Sequence, residues 1–225
     1  MTTEAESLCW NCRNEVGFKH FCSQCVKIQP LRPDEDFFIF FGIPRRLSLD
    51  PELLRKTYYD LSRKFHPDFY QRATPEEREI ATGKSALLNE AYETLRGPFK
   101  RAEYLLDLEG IDVKRDLGPV SADLLAEVFE IQENVDTFLQ RRGKDSAGES
   151  VLRQTLEGEL ESLRKRQDRL TADLEKLFLD WDRCEASVDQ TVSKKALAER
   201  LLRLLHEKKY IDSTLRNVQA NLAKS

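Results

Sequence analysis

Residues 50–68, Asp50-Pro51-Glu52-Leu53-Leu54-Arg55-Lys56-Thr57-Tyr58-Tyr59-Asp60-Leu61-Ser62-Arg63-Lys64-Phe65-His66-Pro67-Asp68, decide the fold of the N-terminal half. Asp50 stands where a helix N-cap accepts unpaired amide hydrogens. Pro51 suits the first helical position, and Glu52 is favoured by the positive end of the helix dipole. Leu54, Tyr58, Leu61 and Phe65 recur at helical spacing and share one face. Pro67 interrupts the helix, and Thr74-Pro75-Glu76-Glu77 opens another with a capping-box pattern. The second helix carries a stripe of Ala81, Ser85, Leu88, Tyr92 and Leu95 and ends at Gly97-Pro98. Asp36-Phe37-Phe38-Ile39-Phe40-Phe41, closed by Gly42 and Pro44, precedes this pair. An amphipathic piece from Phe99 to Leu108, stopped by Gly110, follows it. Residues 34–108 therefore read as one compact set of short helices.

Beyond residue 119 the pattern changes to three long heptad-like helices. Leu124, Val128, Ile131, Val135 and Phe138 form the first seam. The second begins near Leu152 and Leu156 and continues through Leu163, Gln167, Leu170, Leu174, Leu177 and Trp181. The third runs through Leu197, Leu201, Leu204, Lys208, Ile211, Leu215, Val218 and Leu222. Alternating steps of three and four predict an antiparallel three-helix bundle of coiled-coil character over 119–225. Turns are expected at Gly143–Gly148 and around Ser187-Val188-Asp189. Gln167 and Lys208 fall on seams and read as register or end-of-bundle residues. Cys184 and His206 read as structural or solvated.

Composition agrees with an all-α chain. Of 225 residues, 40% are hydrophobic and 34% charged, with only nine glycines and eight prolines, the profile of long charged helices. Thirty-six Lys and Arg against 40 Asp and Glu give a net charge of −4, and the pI is near 5.6. Phosphate neutralisation needs a cationic surface, so a global nucleic-acid-binding role is excluded. No apolar run approaches the roughly 20 residues needed to span a bilayer, so no membrane partner is expected. Met1-Thr2-Thr3-Glu4-Ala5-Glu6 carries acid where a leader carries base, so the expectation is a cytoplasmic protein, or a mitochondrial matrix one if a leader has been removed.

Four of the five cysteines lie in the first 25 residues, as Cys9-Trp10-Asn11-Cys12 and Cys22-Ser23-Gln24-Cys25. Two such knuckles can converge four thiolates on one tetrahedral ion, which suits a single structural zinc. Residues 1–28 cannot fold on apolar burial alone, so metal binding would supply the folding free energy. An iron site uses the same ligands; a redox C-x-x-C would need a βαβ context that is absent. An odd count concentrated at one end does not resemble a secreted disulfide framework. His20 reads as a bystander to a site already closed by four thiolates. Glu4, Glu6 and Glu15 balance Arg13, Lys19 and Lys27, leaving this module no basic patch. Ile28-Gln29-Pro30-Leu31-Arg32-Pro33 reads as an extended linker.

The loop His66-Pro67-Asp68, preceded by a helix presenting Arg55, Lys56, Arg63 and Lys64, resembles a J-domain, the module that contacts DnaK-type chaperones. The resemblance sharpens at three further stretches. These are Asp36 to Pro44, then Ser85-Ala86-Leu87-Leu88-Asn89-Glu90-Ala91-Tyr92-Glu93-Thr94-Leu95-Arg96-Gly97-Pro98, and Arg101-Ala102-Glu103-Tyr104-Leu105-Leu106. Together they are similar to the HscB family, co-chaperones of iron–sulfur cluster assembly, in a form with an N-terminal cysteine module. The similarity covers residues 36–140 well and the last 40 loosely. Phe69 departs from the lysine frequent after this tripeptide in other J-domains, and Tyr59 and Asp60 dilute the basic face.

That resemblance implies a non-enzymatic protein in which His66, Pro67 and Asp68, with Arg55, Arg63 and Lys64, engage a DnaK- or HscA-type chaperone and stimulate its ATPase. It also implies that Leu125, Ala126, Phe129, Glu130 and Glu133, with Tyr210, bind an IscU-type iron–sulfur scaffold. Leu125 and Phe129 lie beside the first seam, one turn apart, so packing against another element is the competing reading of that patch. A zinc-containing coiled-coil adaptor for other chaperone clients is the alternative for the whole chain. A metalloenzyme is disfavoured, since no open coordination position, carboxylate pair or phosphate loop is evident.

Overall fold

The computed structural model describes residues 8–115, 120–185 and 191–223. Among these the chain is helical: α1 (Phe37–Phe41), α2 (Pro51–Phe65), a 3-10 turn (Pro67–Tyr70), α3 (Pro75–Arg96), α4 (Pro98–Leu108), α5 (Ala122–Arg141), α6 (Ser146–Glu185) and α7 (Thr191–Leu222). It divides into two compact units, Met1–Arg101 and Ala102–Ser225.

In the first unit the expected caps form. The Asp50 carboxylate accepts the amides of Glu52 and Leu53, and Thr74 and Glu77 complete a reciprocal capping box. Asp36 caps α1 through the Ile39 amide, and Gly42 closes that helix in the left-handed region (φ 65°), where an L side chain would be strained. Leu54, Leu61 and Phe65 of α2 meet Ala81, Leu88, Ala91 and Leu95 of α3 in the core. Tyr58 is half-buried instead, stacked on Tyr92 at 4.2 Å, its hydroxyl donating to Asn89 Oδ1.

The cysteine hairpins pack directly on these helices. Phe21 stacks on Phe65 with ring centroids 6.1 Å apart, and Lys27 Nζ bonds Glu77 Oε2 at 2.8 Å. The expected linker therefore begins later than its prolines suggested. Ile28 is buried and bridges to Phe21, and Gln29 is buried with its amide on Cys9, so both belong to the hairpins.

The Lys27–Glu77 pair carries a pH prediction. The bond from Lys27 holds the Glu77 carboxyl below its ordinary value of 4.5, against the opposing effect of burial. A carboxyl with a depressed folded pKa contributes in full above that ordinary value, and the contribution disappears as pH falls through the lower folded one. Glu77→Gln should therefore lower stability at pH 7 by about 1 kcal/mol, a figure kept small because Lys27 is partly solvated. The loss shrinks as pH drops below 4.5. Urea unfolding of wild type and variant at pH 7 and pH 4 checks this; an equal difference at both pH values refutes it.

The second unit contains the three long helices, each packed on the other two. Their direction follows from the polar pairs. Glu127 meets Arg166, and Asn134, further along α5, meets Glu159, earlier in α6, so α5 and α6 are antiparallel. Lys194 over Trp181 and Asp212 on Gln167 show the same reversal between α6 and α7. The helix α7 thus runs parallel to α5, with Asn217 bonded to Gln132 at 2.8 Å. Trp181, Phe138, Leu124, Leu163, Leu174, Leu201 and Ile211 fill the core.

The α5–α6 turn is shorter than expected, because Ser146, Ala147 and Gly148 already belong to α6. Asp145 begins that helix: its carboxylate accepts the Gly148 amide at 3.0 Å and its carbonyl the Glu149 amide. A Cβ at Gly148 would lie 2.2 Å from Asp145 Oδ2, so a larger residue there would make the capping carboxylate shift. The turn expected at Ser187-Val188-Asp189 lies outside the described residues. Gln167 and Lys208 converge on one group, Asp212, placing a polar layer within the α6–α7 seam.

Candidate functional site: a metal centre, a loop and a helical face

The cysteine hairpins repeat one geometry at a spacing of 13 residues. Cys9 donates its amide to Asn14 and accepts the Arg13 amide; Cys22 does the same with Lys27 and Val26. Leu8 pairs with Glu15, and Phe21 with Ile28. The turn after each second cysteine requires positive φ, 65° at Arg13 and 60° at Val26, although neither is glycine. The result is that all four Sγ atoms lie within 4.8 Å of one another.

The spacing fits one metal ion. Cys9 and Cys25 sulfurs are 3.6 Å apart and those of Cys12 and Cys22 3.5 Å. That is far beyond a disulfide bond of about 2.0 Å, and close to the edge of a tetrahedron with bonds of about 2.3 Å. Donors surround the sulfurs: Gln29 on Cys9, Asn14 on Cys12 and the Gln24 amide on Cys22. Burial opposes ionisation of Cys9, yet the amides of Cys12 and Asn11 and the thiols of Cys25 and Cys12 bring it down to about 6. At Cys25 the Lys27 amide favours the thiolate, but burial and the bonds to Cys12 and Cys9 prevail, pushing the thiol up to about 11. Four sulfurs that must share protons at this separation are suited to a cation instead. Cys9, Cys12, Cys22 and Cys25 would hold it. With every position filled by sulfur it would supply cross-linking rather than catalysis. Cys184 is buried in the other unit.

His20 is not a ligand but a docking residue. Its ring meets Phe65 edge-on at 5.0 Å; Nε2 lies 3.0 Å from the Phe40 carbonyl and Nδ1 3.1 Å from Lys84 Nζ. An ammonium only donates and a carbonyl only accepts, so Nδ1 accepts and Nε2 carries the proton. Burial, with the Lys84 charge behind it, lowers His20 to about 4, so the ring stays neutral. Lys84 is only 1% exposed, and burial lowers its pKa as well. Sequence reading placed Ser85 on the α3 stripe, yet Lys84 fits the same three-and-four spacing between Ala81 and Leu88. That fit was the available signal.

The loop His66-Pro67-Asp68 leaves the end of α2 into solvent. Pro67 forces the preceding residue out of helical dihedrals, and His66 has φ −59° and ψ 126°. Its Nδ1 accepts the Asp68 amide at 3.3 Å. The Tyr70 hydroxyl ties the turn back to the Lys64 carbonyl, while Phe65 anchors it in the core. Arg55 and Arg63 are exposed on the side of α2 that leads to His66, Arg55 being paired with Glu52. Lys64 is exposed but projects from the opposite side of the helix, one residue beyond Arg63.

In the second unit Ala126, Phe129, Glu130 and Glu133 are exposed on α5, and Leu125 is half-buried. Phe129 is 69% exposed, so the competing reading of Phe129 as packed core does not hold. The Gln132–Asn217 bond sets the register of parallel α5 and α7. Two turns earlier on both helices are Leu125 and Tyr210, which therefore face the same junction. Tyr210 is 36% exposed and leans on His206 at 5.1 Å. Leu125, Phe129 and Tyr210 thus share one side of the bundle. Among the described residues no helix is long and apolar enough to cross a membrane.

Known proteins resemble this chain in its J-domain and in its helical fold. Residues 36–104 match the DnaJ domain family. The chain is 34% identical over 133 residues to the iron–sulfur cluster co-chaperone protein HscB homolog of Arabidopsis thaliana, covering 59% of this chain and 52% of that protein. Identity is also 34% over 132 residues to HscB of Homo sapiens, with 56% of each chain covered. The chain thus spans just over half the length of these curated relatives. The crystal structure of human co-chaperone HscB superposes with a TM-score of 0.70 over 95% of this chain and 98% of that one, at 22% identity. Chaperone HscB from Vibrio cholerae gives 0.56 over 82% and 96%, at 26% identity. A J-domain corner with a helical bundle following it makes this chain similar to the HscB co-chaperones, in sequence over just over half its length and in fold over most of it.

Proposed function

We propose that this protein is a non-enzymatic J-domain co-chaperone. It stimulates the ATPase of a DnaK- or HscA-type chaperone and delivers to it an IscU-type scaffold on which iron–sulfur clusters are assembled. The observation that carries this reading is the exposed His66-Pro67-Asp68 corner on a braced helical pair, in the same chain as a bundle with an exposed aromatic face. Neither feature is explained by folding: His66 and Asp68 point into solvent, and Phe129 covers no core.

The mechanism divides between the two units. The corner presents an imidazole and a carboxylate on a proline-stiffened turn, so little order must be gained on docking. Arg55 and Arg63 steer it towards an acidic chaperone surface. Leu125, Phe129 and Tyr210, edged by Glu130 and Glu133, hold the scaffold, so that nucleotide hydrolysis is triggered where the client is delivered. The four-cysteine module carries one zinc ion and braces α2 and α3. The domain limits that follow from this division of labour are 1–28, 34–108 and 119–225.

A steady-state ATPase assay of a DnaK-type chaperone, with and without an IscU-type scaffold, tests the proposal. Stimulation by the protein, further raised by the scaffold, is expected; absence of stimulation refutes it. Phe129→Ala should weaken scaffold binding about tenfold or more, since aromatic anchors dominate such interfaces, while the melting temperature stays unchanged. Calorimetric titration of the scaffold measures the first and a thermal melt the second.

A further inference from the structure

The face of α2 that leads to His66 is not simply basic. Arg55, Tyr59, Ser62 and Arg63 recur at helical spacing towards the imidazole, and Phe69 follows it in the 3-10 turn. Tyr59 is 54% exposed and Phe69 74%. Two large aromatic side chains therefore bracket His66 in solvent, one about two helical turns before it and one three residues after. Both are pinned. Tyr59 meets Tyr58 edge-on at 5.4 Å, and Tyr58 in turn stacks on Tyr92 of α3. The Phe69 ring meets the His66 imidazole edge-on at 6.2 Å. Tyr and Phe rings have only two side-chain torsions and lose little freedom on being covered, which makes them efficient anchors.

The geometry points to an aromatic docking strip, with Tyr59 and Phe69 as affinity anchors on either side of the His66-Pro67-Asp68 corner and a chaperone that offers them apolar pockets within an acidic surface. This rests on the co-chaperone reading above and specifies the partner of that site. Continuity with the corner selects the occupant: whatever engages His66 cannot avoid the ring 6.2 Å from it. Arg55 and Arg63, interleaved with the aromatic residues, match the acidic surround. A strip built from charges alone loses affinity steeply as salt rises, whereas apolar anchors hold it. Salt-resistant docking follows.

The test is ATPase stimulation of a DnaK-type chaperone, titrated with full-length protein at 25 and 150 mM KCl, about a twofold change in screening length. Tyr59→Ala/Phe69→Ala should raise the half-saturating concentration about tenfold or more at 150 mM, the loss typical of aromatic hot spots, and leave maximal stimulation within about twofold. Phe69→Lys should bring in a steeper salt dependence than wild type. Both side chains are exposed, so circular dichroism and melting should not change, which separates lost docking from lost folding. Wild-type stimulation with a double variant that saturates at the wild-type concentration overturns this inference and leaves the co-chaperone reading standing. A double variant that lowers the maximum alone also overturns it. Failure of the wild type to stimulate overturns both.

Discussion

Replacing Cys9 and Cys22 by serine should unfold residues 8–29 and weaken the helices behind them. The cluster that holds the two hairpins together consists of Cys9, Val16 and Cys22, with Cys12 and Cys25 packed on it. Val16, Ile28 and the docked rings of His20 and Phe21 bury too little and cannot repay the backbone entropy of more than twenty residues at about 1–2 kcal/mol each. An ion bound by four thiolates can, because structural zinc contributes on the order of 10–16 kcal/mol of apparent binding free energy at neutral pH, which here is folding free energy. Hydrogen exchange should show the amides of Cys9, Arg13, Cys22 and Val26 protected in the metal-loaded protein and unprotected in the variant. Elemental analysis should find one zinc per wild-type chain. The effect spreads because His20 and Phe21 cover Phe65, and Lys27 pairs with Glu77. The Met1–Arg101 unit should therefore melt several degrees lower. Protection that survives metal removal would show that the hairpins fold without the ion.

His66→Gln should abolish ATPase stimulation while leaving both fold and scaffold affinity intact. His66 is exposed, and its imidazole makes only long contacts with Asp68, to the amide at 3.3 Å and the carboxylate at 3.5 Å, so its loss costs at most a few tenths of a kcal/mol of stability. Glutamine keeps hydrogen-bonding capacity but lacks the ring that meets Phe69 and the imidazole nitrogen turned to solvent. Stimulation should fall to the basal rate of the chaperone at every concentration, unlike the shifted saturation expected for Tyr59 and Phe69 variants. Stimulation at the wild-type level by this variant removes His66 from the mechanism. Unchanged calorimetric affinity for the scaffold shows that the second unit works independently.

Several features were legible in the residues because they depend on groups a few positions apart. The N-cap at Asp50, the Thr74–Glu77 box, the two C-x2-C knuckles and the Pro67 break each involve hydrogen bonds or dihedrals within about one helical turn. The bundle seams were legible for a related reason, since helical period alone aligns their apolar residues. The Asp145 cap is just as local, three residues before Gly148, but Gly143 and Gly148 mask it and make the turn before α6 read as longer than it is. His20 and Lys84 lie beyond that local reach, because each residue's environment is supplied by the other, 64 positions away.

What the chain determines by itself is therefore its vocabulary: a four-thiolate centre, a proline-stiffened corner and three long amphipathic helices, each specified by local spacing and capping. Tertiary structure alone decided what those parts face. It laid the cysteine hairpins against Phe65 and Glu77, and set Leu125 level with Tyr210 through the Gln132–Asn217 register. The physical reason is that a helical period states which residues share a side, whereas only packing between distant segments settles which sides meet and which remain open to a partner.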